Sequence, residues 1–372
     1  MHAKNNKQMI RRLQTLILSL AVAVPSLFAE GGDSVRVSAN PLAIDFGEKV
    51  RLVLNGYGQS VYQLSSTPQE KRNDFQVQRA IIIGNAMVGK RLRAMVMVDA
   101  AATRADRHLH EYYLEYTFDE ALKLRVGQYK QPFMLENIYI PTILGAVNMT
   151  EGTKYMAGIA GDAMQGNMVG RDQGIMVSGN AFKQKDGHHL LAYSLGLFNG
   201  CGLNQRDNNR SKDLVGMVQV FPTRNWQLTS SFILGRGHAV AASPYGDIAE
   251  GENYRRSRWS IGTEWKPKPL QLRSELTLGW NGSVRSRAFY AEAWIHTLPQ
   301  LDIVLNYDHL NRNTNEHGPL MTAQTPVASN NYTIGLQYWI WRRCRIASQY
   351  VLSHHDVGKD SHLWVTQFQF EF

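Results

Sequence analysis

From Val50 to Phe372, apolar and polar residues alternate in runs of about ten separated by turn residues, the period-two pattern of half-buried strands. The runs fall at 50–63, 74–88, 90–102, 108–118, 121–131, 171–182, 188–199, 212–221, 226–239, 254–266, 269–281, 284–298, 300–312, 330–341, 343–355 and 361–372. In one, Trp226, Leu228, Phe232 and Leu234 alternate with Gln227, Thr229 and Ser231. In the last, Trp364, Thr366, Phe368, Phe370 and Phe372 alternate with Gln367, Gln369 and Glu371. The second run is the hardest to phase, because Ile81, Ile82 and Ile83 are consecutive. Short turns alternate along the chain with connections that are mostly longer, 282–283 being the exception. Sixteen runs with that two-beat connection pattern predict an all-β, 16-stranded antiparallel transmembrane β-barrel over 50–372, short turns in the periplasm.

The connection at 132–170 breaks the rhythm. Before it, Leu122, Leu124 and Val126 alternate with Lys123 and Arg125, giving one apolar and one cationic face. Pro132 has no N–H for a ladder and ends that strand. The segment that follows is far longer than a hairpin loop. It carries Ile138, Tyr139, Ile140, Ile143, Leu144 and Val147, too apolar for a disordered tail. The inner wall of a wide barrel offers it a surface, so 132–170 is expected to fold inward and narrow the bore.

The amino terminus changes the picture of location. Lys4, Lys7, Arg11 and Arg12 precede an uncharged stretch from Leu13 to Phe28, with Ala29 at its end, the order of a secretory signal peptide. Residues 1–29 are expected to be cleaved and 30–49 to form an N-terminal periplasmic segment of an outer-membrane protein. Loss of that signal removes four basic residues and no acidic one, taking the formal charge from +9 to +5. That modest excess calls for no nucleic acid; where the arginines lie matters more. No later segment is long and apolar enough for a membrane helix. Tyr112, Tyr116, Trp226, Trp265, Trp280, Trp339 and Trp341 fall near strand ends, as interfacial girdles would. Cys201 and Cys344 are too few for a disulfide framework and are expected to remain unpaired.

Arg125-Val126-Gly127-Gln128-Tyr129-Lys130 with Pro132-Phe133, then Gly170-Arg171-Asp172-Gln173-Gly174, then Gly196-Leu197-Phe198-Asn199-Gly200 with Asn204, Asp207 and Asn208, resemble the phosphate-selective porin O/P family of Gram-negative outer membranes. The aromatic carboxy terminus fits as well. The resemblance implies a trimeric sixteen-stranded porin whose third extracellular loop, here 132–170, constricts the pore. It further implies an arginine ladder along the lumen with lysines at the constriction. Candidate ladder residues are Arg91, Arg93, Lys123, Arg125, Arg256, Arg258 and Arg273, joined by Lys130, Lys154 and Arg171 in or beside the long connection. That connection departs from the family pattern: Lys154 is its only lysine, beside Glu136, Glu151 and Asp162.

Rows of fixed guanidinium groups bias which ions enter a channel. The competing role is structural, each arginine paired with a carboxylate such as Glu115, Glu264, Glu275 or Glu292. His354, His355, Asp356, Asp360 and His362 fit no zinc spacing, and Asp207, Asn208 and Asn209 lack the other ligands of a calcium loop. No metal or cofactor is expected. Neither a GxSxG elbow, a phosphate-cradling glycine loop nor a CxxC pair occurs, so no catalytic residues are assigned. The expected function is passive diffusion of small hydrophilic solutes, anions such as phosphate preferred. The alternatives are a non-conducting adhesin or structural barrel, or a barrel enzyme acting on lipid.

Overall fold

The computed structural model describes residues 42–372 apart from 48, 67–70, 166–167, 246, 316–325 and 342–343. The expected signal peptide at 1–29, and 30–41 of the segment after it, lie outside the described residues. The first strand is β1 (Leu42–Phe46), followed by β2 (Val50–Ser66), β3 (Lys71–Val88), β4 (Leu92–Asp99), β5 (Leu109–Thr117) and β6 (Lys123–Lys130). After the long connection come β7 (Arg171–Lys183), β8 (His189–Phe198), β9 (Asp213–Thr223), β10 (Trp226–His238), β11 (Asn253–Trp265) and β12 (Leu270–Asn281). The chain ends with β13 (Val284–Leu298), β14 (Leu301–Asn311), β15 (Ala328–Trp341), β16 (Cys344–His355) and β17 (Ser361–Glu371).

From β2 onward each strand pairs antiparallel with the next, and β17 returns to β2, so sixteen strands close a barrel. Closure removes the open edges that a membrane would leave unsatisfied. The seam is completed by two hydrogen bonds, Phe372 N to Gly56 O at 3.0 Å and Gly56 N to Phe372 O at 3.1 Å. Below them β1 pairs with the first residues of β2, Leu42 opposite Leu54 and Phe46 opposite Val50. The segment 30–49 therefore contributes a strand to the sheet.

Alternation sets the two faces as expected. Leu228, Leu234, Ile261, Ile334, Leu336, Phe368 and Phe370 are exposed outside, while Gln227, Thr229, Glu264, Gln337, Gln367 and Gln369 are buried inside. The three consecutive isoleucines are resolved by a bulge at Gln78, where the register passes from Gln59–Arg79 to Ser60–Val77. A bulge residue shifts the phase of its strand by one. Phe75 and Val77 thus face outward before it and Ile82 after it, and Ile81 is buried inside.

Tyr112, Tyr116, Trp226, Trp265 and Trp341 lie exposed on the exterior, where girdle residues belong. Trp339 does not join them: its indole N–H donates to Asp302 inside the barrel at 2.6 Å. Parity places it on the face of Gln337. Both cysteines are free.

Gly56 has no room for a side chain. A Cβ there would lie 2.2 Å from the Ile81 carbonyl and 2.9 Å from the Phe372 ring. Gly56→Val should therefore obstruct closure and lower the folded fraction, read as loss of the faster-migrating band in unheated detergent gels. An undiminished folded band would show that the seam tolerates the bulk.

Candidate functional site

The connection between β6 and β7 lies inside the barrel. It contains two short helices, α1 (Leu135–Ile138) and α2 (Glu151–Met156). Thr150 caps α2, its hydroxyl accepting the Thr153 N–H at 3.2 Å. A segment of this length lodged in a bore must find partners for its backbone groups, and inward side chains of the wall supply them. Ser231 on β10 accepts Met134 N at 3.1 Å, and Glu275 on β12 accepts Leu135 N at 2.8 Å. Glu292 on β13 accepts Ala146 N at 3.0 Å. Gln349 on β16 accepts Val147 N at 2.8 Å and donates to Gly145 O at 2.7 Å. Asp308 on β14 receives Glu151 N and Gly152 N at 2.7 and 3.3 Å, at the start of α2. Two further amides reach the loop, Gln369 to Thr142 O and Gln78 to Asn148.

The residues that carry the family resemblance hold the two ends of this loop. Gly127 and Gly174 are register partners on β6 and β7. A Cβ at Gly127 would meet Tyr113 at 2.7 Å and one at Gly174 would meet Phe198 at 2.7 Å. Their absence lets Tyr129 pack edge-on against both Tyr113 and Phe198, ring centres 5.8 and 5.5 Å apart. Asp172 accepts the N–H groups of Gln173, Gly200 and Gly202. It thereby ties the loop's exit to the connection between β8 and β9.

Most of the candidate cations are engaged by this packing. Arg256 is buried against Asp213 and the Gly200 carbonyl. Arg258 is buried with Asp162 at 3.7 Å, and Arg273 sits between Glu264 at 2.6 Å and Glu292 at 3.3 Å. Arg171 pairs with Glu111 at 3.0 Å. Lys130 donates to the carbonyls of Asn137 and Tyr139, and Lys154 pairs with Glu151 at 2.7 Å. Arg91 is exposed in the turn 89–91, off the inner wall. Glu275 and Glu292, considered from sequence as arginine partners, hold the loop as well.

The opposite part of the wall differs. Arg93 is half-buried and bound by Asn85 at 2.6 Å. Arg79, whose inward orientation was hidden by the bulge, is bound by Gln59 at 2.8 Å. An amide orients a guanidinium without cancelling its charge. Lys123 is half-buried beside Arg125. Arg125 pairs with Glu115 and stacks over Tyr113 at 4.2 Å. Arg345, also not singled out from sequence, is buried against Gln337 and over Trp339. Above the Arg93–Arg125 row, Tyr57, Met97, Tyr113 and Met176 join loop residues Phe133 and Tyr155 in one apolar cluster.

Residues 53–218 match the family model of phosphate-selective porins O and P. Among curated proteins nothing matches. The fold is similar to that of an anion-selective porin from Comamonas acidovorans, TM-score 0.63 at 11% identity, covering 87% of this chain and 100% of that one. It is also similar to OmpT of Vibrio cholerae in a trimer form (0.61, 12%, 86% and 99%) and to the outer-membrane channel DcaP of Acinetobacter baumannii (0.59, 12%, 88% and 99%). The chain thus has the fold of porin barrels, and its residues 53–218 carry the sequence pattern of that family.

Two outcomes follow for the loop. Asp308→Ala strips two N–H groups of their carboxylate, a loss of about 1.5–3 kcal/mol for each charge-assisted bond, and should give larger, noisier single-channel conductance. An unchanged conductance would mean that α2 is held by other contacts. Glu136, buried within the loop, has its carboxyl pushed up to about 7 by burial, against the opposing hydrogen bonds of Thr150 and Thr153. A raised folded-state pKa favours the packed loop at low pH and destabilises it as pH rises through about 7. Current noise should therefore grow between about pH 4.5 and 7 in the wild type, level off above that, and stay flat in Glu136→Gln; parallel profiles would assign the effect to another group.

Proposed function

We propose that this barrel is a passive diffusion channel for small hydrophilic solutes that favours anions. Size selection would come from the loop at 132–170, and charge selection from the part of the inner wall whose arginines are not bound by carboxylates. The observation that carries this reading is the binding of Arg79 and Arg93 by amides rather than carboxylates. Their charge, with that of Lys123, faces the bore, and a fixed cationic row attracts anions and repels cations. Arg256, Arg258 and Arg273 are spent on carboxylates beneath the loop and add little to that field. Lys154 is paired within the loop, so nothing there favours phosphate over other small anions. Assembly as a homotrimer is part of the same reading, supported by the trimer form among the similar structures.

A second reading, a barrel that does not conduct, is favoured by the apolar cluster joining the wall at Tyr57 and Met97 to the loop at Tyr155. Hydrophobic constrictions close channels by excluding water. Purified protein in a planar bilayer under a salt gradient separates the two. Discrete conductance steps with a reversal potential of anionic sign support the channel, and their absence supports the second reading. Arg79→Glu with Arg93→Glu should move the reversal potential several-fold in permeability ratio toward cations, while Arg256→Gln should leave its sign unchanged. A double variant with the wild-type potential would remove the cationic row from the mechanism.

A further inference from the structure

At the end of the barrel where the longer connections gather there is a hollow of about 510 Å³. Its lining comes from the β4–β5, β8–β9 and β10–β11 connections and from Gln165 of the long loop. β5 and β10 are five strands apart around the wall. Connections from both line one hollow only by leaning across the mouth, so the space stands over the bore and not against lipid. Hydrogen bonds brace it. Asn204 donates to the carbonyls of Asp106 at 2.7 Å and Leu109 at 2.9 Å, and Asn209 donates to that of Arg236 at 3.2 Å. The β8–β9 connection thus spans the gap. Val240 N donates to Met164 O at 2.9 Å and ties in the long loop. A frame held in this way costs a ligand little ordering.

The charges around the hollow are unevenly spent. Arg104 is held by Asp106 through two bonds, at 3.0 and 2.7 Å, and His238 by Asn253 at 3.0 Å. Arg107 is half-buried and Arg206 exposed, and neither side chain has a hydrogen bond or ion pair among the described residues. Glu250, also without a partner there, is the one acid left beside them. Two cations against one carboxylate leave a single positive charge, which matches a monoanion. A guanidinium fork fits a carboxylate in particular. Glu250 and the amides of Gln165 and Asn208 are groups that bind hydroxyls. Gln165 donates to Asp162 at 2.8 Å and keeps its carbonyl; Asn208 accepts Asn209 at 3.3 Å and keeps its NH₂. Buried Leu203 and Ala239 form the floor. No Phe, Tyr or Trp lines the space, so a nucleotide base finds no ring to stack on. A bare inorganic anion leaves most of it empty.

We infer that this hollow is a capture site for a sugar acid, a hydroxylated monocarboxylate of hexose size. Its carboxylate meets Arg107 and Arg206, and its hydroxyls meet Glu250, Gln165 and Asn208. The site rests on the channel reading for its use, which is to hold solute ahead of the loop, but binding needs no conduction. Conductance without binding would end this inference alone, and binding without conductance would end the channel alone.

The full chain, folded in mild detergent, would be titrated by calorimetry with glucuronate, glucose, acetate and glucose 6-phosphate. Glucuronate should bind at least tenfold more tightly than glucose or acetate, and several-fold more tightly than the phosphate ester. Arg107→Gln with Arg206→Gln should lose at least tenfold in glucuronate affinity with the heat-modifiable band intact. Glu250→Ala should weaken glucuronate several-fold without weakening acetate. Equal affinity for glucuronate and acetate overturns the assignment, as does tighter binding of glucose 6-phosphate or no binding at all. Affinity that falls with Arg79→Gln and Arg93→Gln instead would place the anion in the bore and overturn it too. Should the double variant at the mouth not fold, Arg206→Gln alone decides, since that side chain is exposed and unpaired; wild-type affinity there overturns the site.

Discussion

A polypeptide segment can lie inside a barrel only if its amide N–H and carbonyl groups find partners there, since the cost of burying them unmet exceeds what side-chain packing returns. Here the wall meets that demand with hydroxyl, acidic and amide side chains on five strands: Ser231, Glu275, Glu292, Asp308 and Gln349. Carboxylates massed on one inner surface would repel one another. Arg273, bridging Glu264 and Glu292, and Arg258, beside Asp162, provide the counter-charge. The loop, the acids and these arginines are one electrostatic unit, and removal of any member leaves a buried charge behind.

That unit makes the bore two-sided. The wall at β10–β14 sets Arg256, Arg258 and Arg273 against Glu264, Glu275, Glu292, Asp302 and Asp308, and three of those acids, Glu275, Glu292 and Asp308, hold the loop. The wall at β3–β6 meets the loop mainly through apolar side chains and keeps Arg79 and Arg93 oriented by Gln59 and Asn85. The placing of arginines along a strand does not distinguish these halves. Guanidinium groups at Arg93 and Arg273 each follow a leucine on an inward position of their strands, yet one is fixed by an amide and the other neutralised twice.

The strands were legible because period-two alternation is imposed locally by water inside and lipid outside, and their ends moved by only a few residues. The long connection was legible as an inward loop from its length and apolar content. Its seating was not, because a hydrogen bond to a backbone N–H leaves no mark on the loop's sequence. Arg79 was hidden by one extra residue at Gln78, which reverses the facing of everything before it. Trp339 was placed outside because tryptophan near a strand end usually marks an interface; only the position of Asp302 opposite it reveals otherwise. β1 was missed because five residues without a clear alternation carry too little pattern.

β1 also has a consequence for how the cylinder is measured. It occupies the edge of β2 from Val50 to Leu54, and β17 takes the same edge from Tyr57 upward. A final strand sliding two positions toward the start of β2 would meet Leu42 already bonded in its path. One short strand thus works as a doorstop: it bars the last strand from docking lower along β2, and with it one stagger error in closing the sixteen-strand circumference.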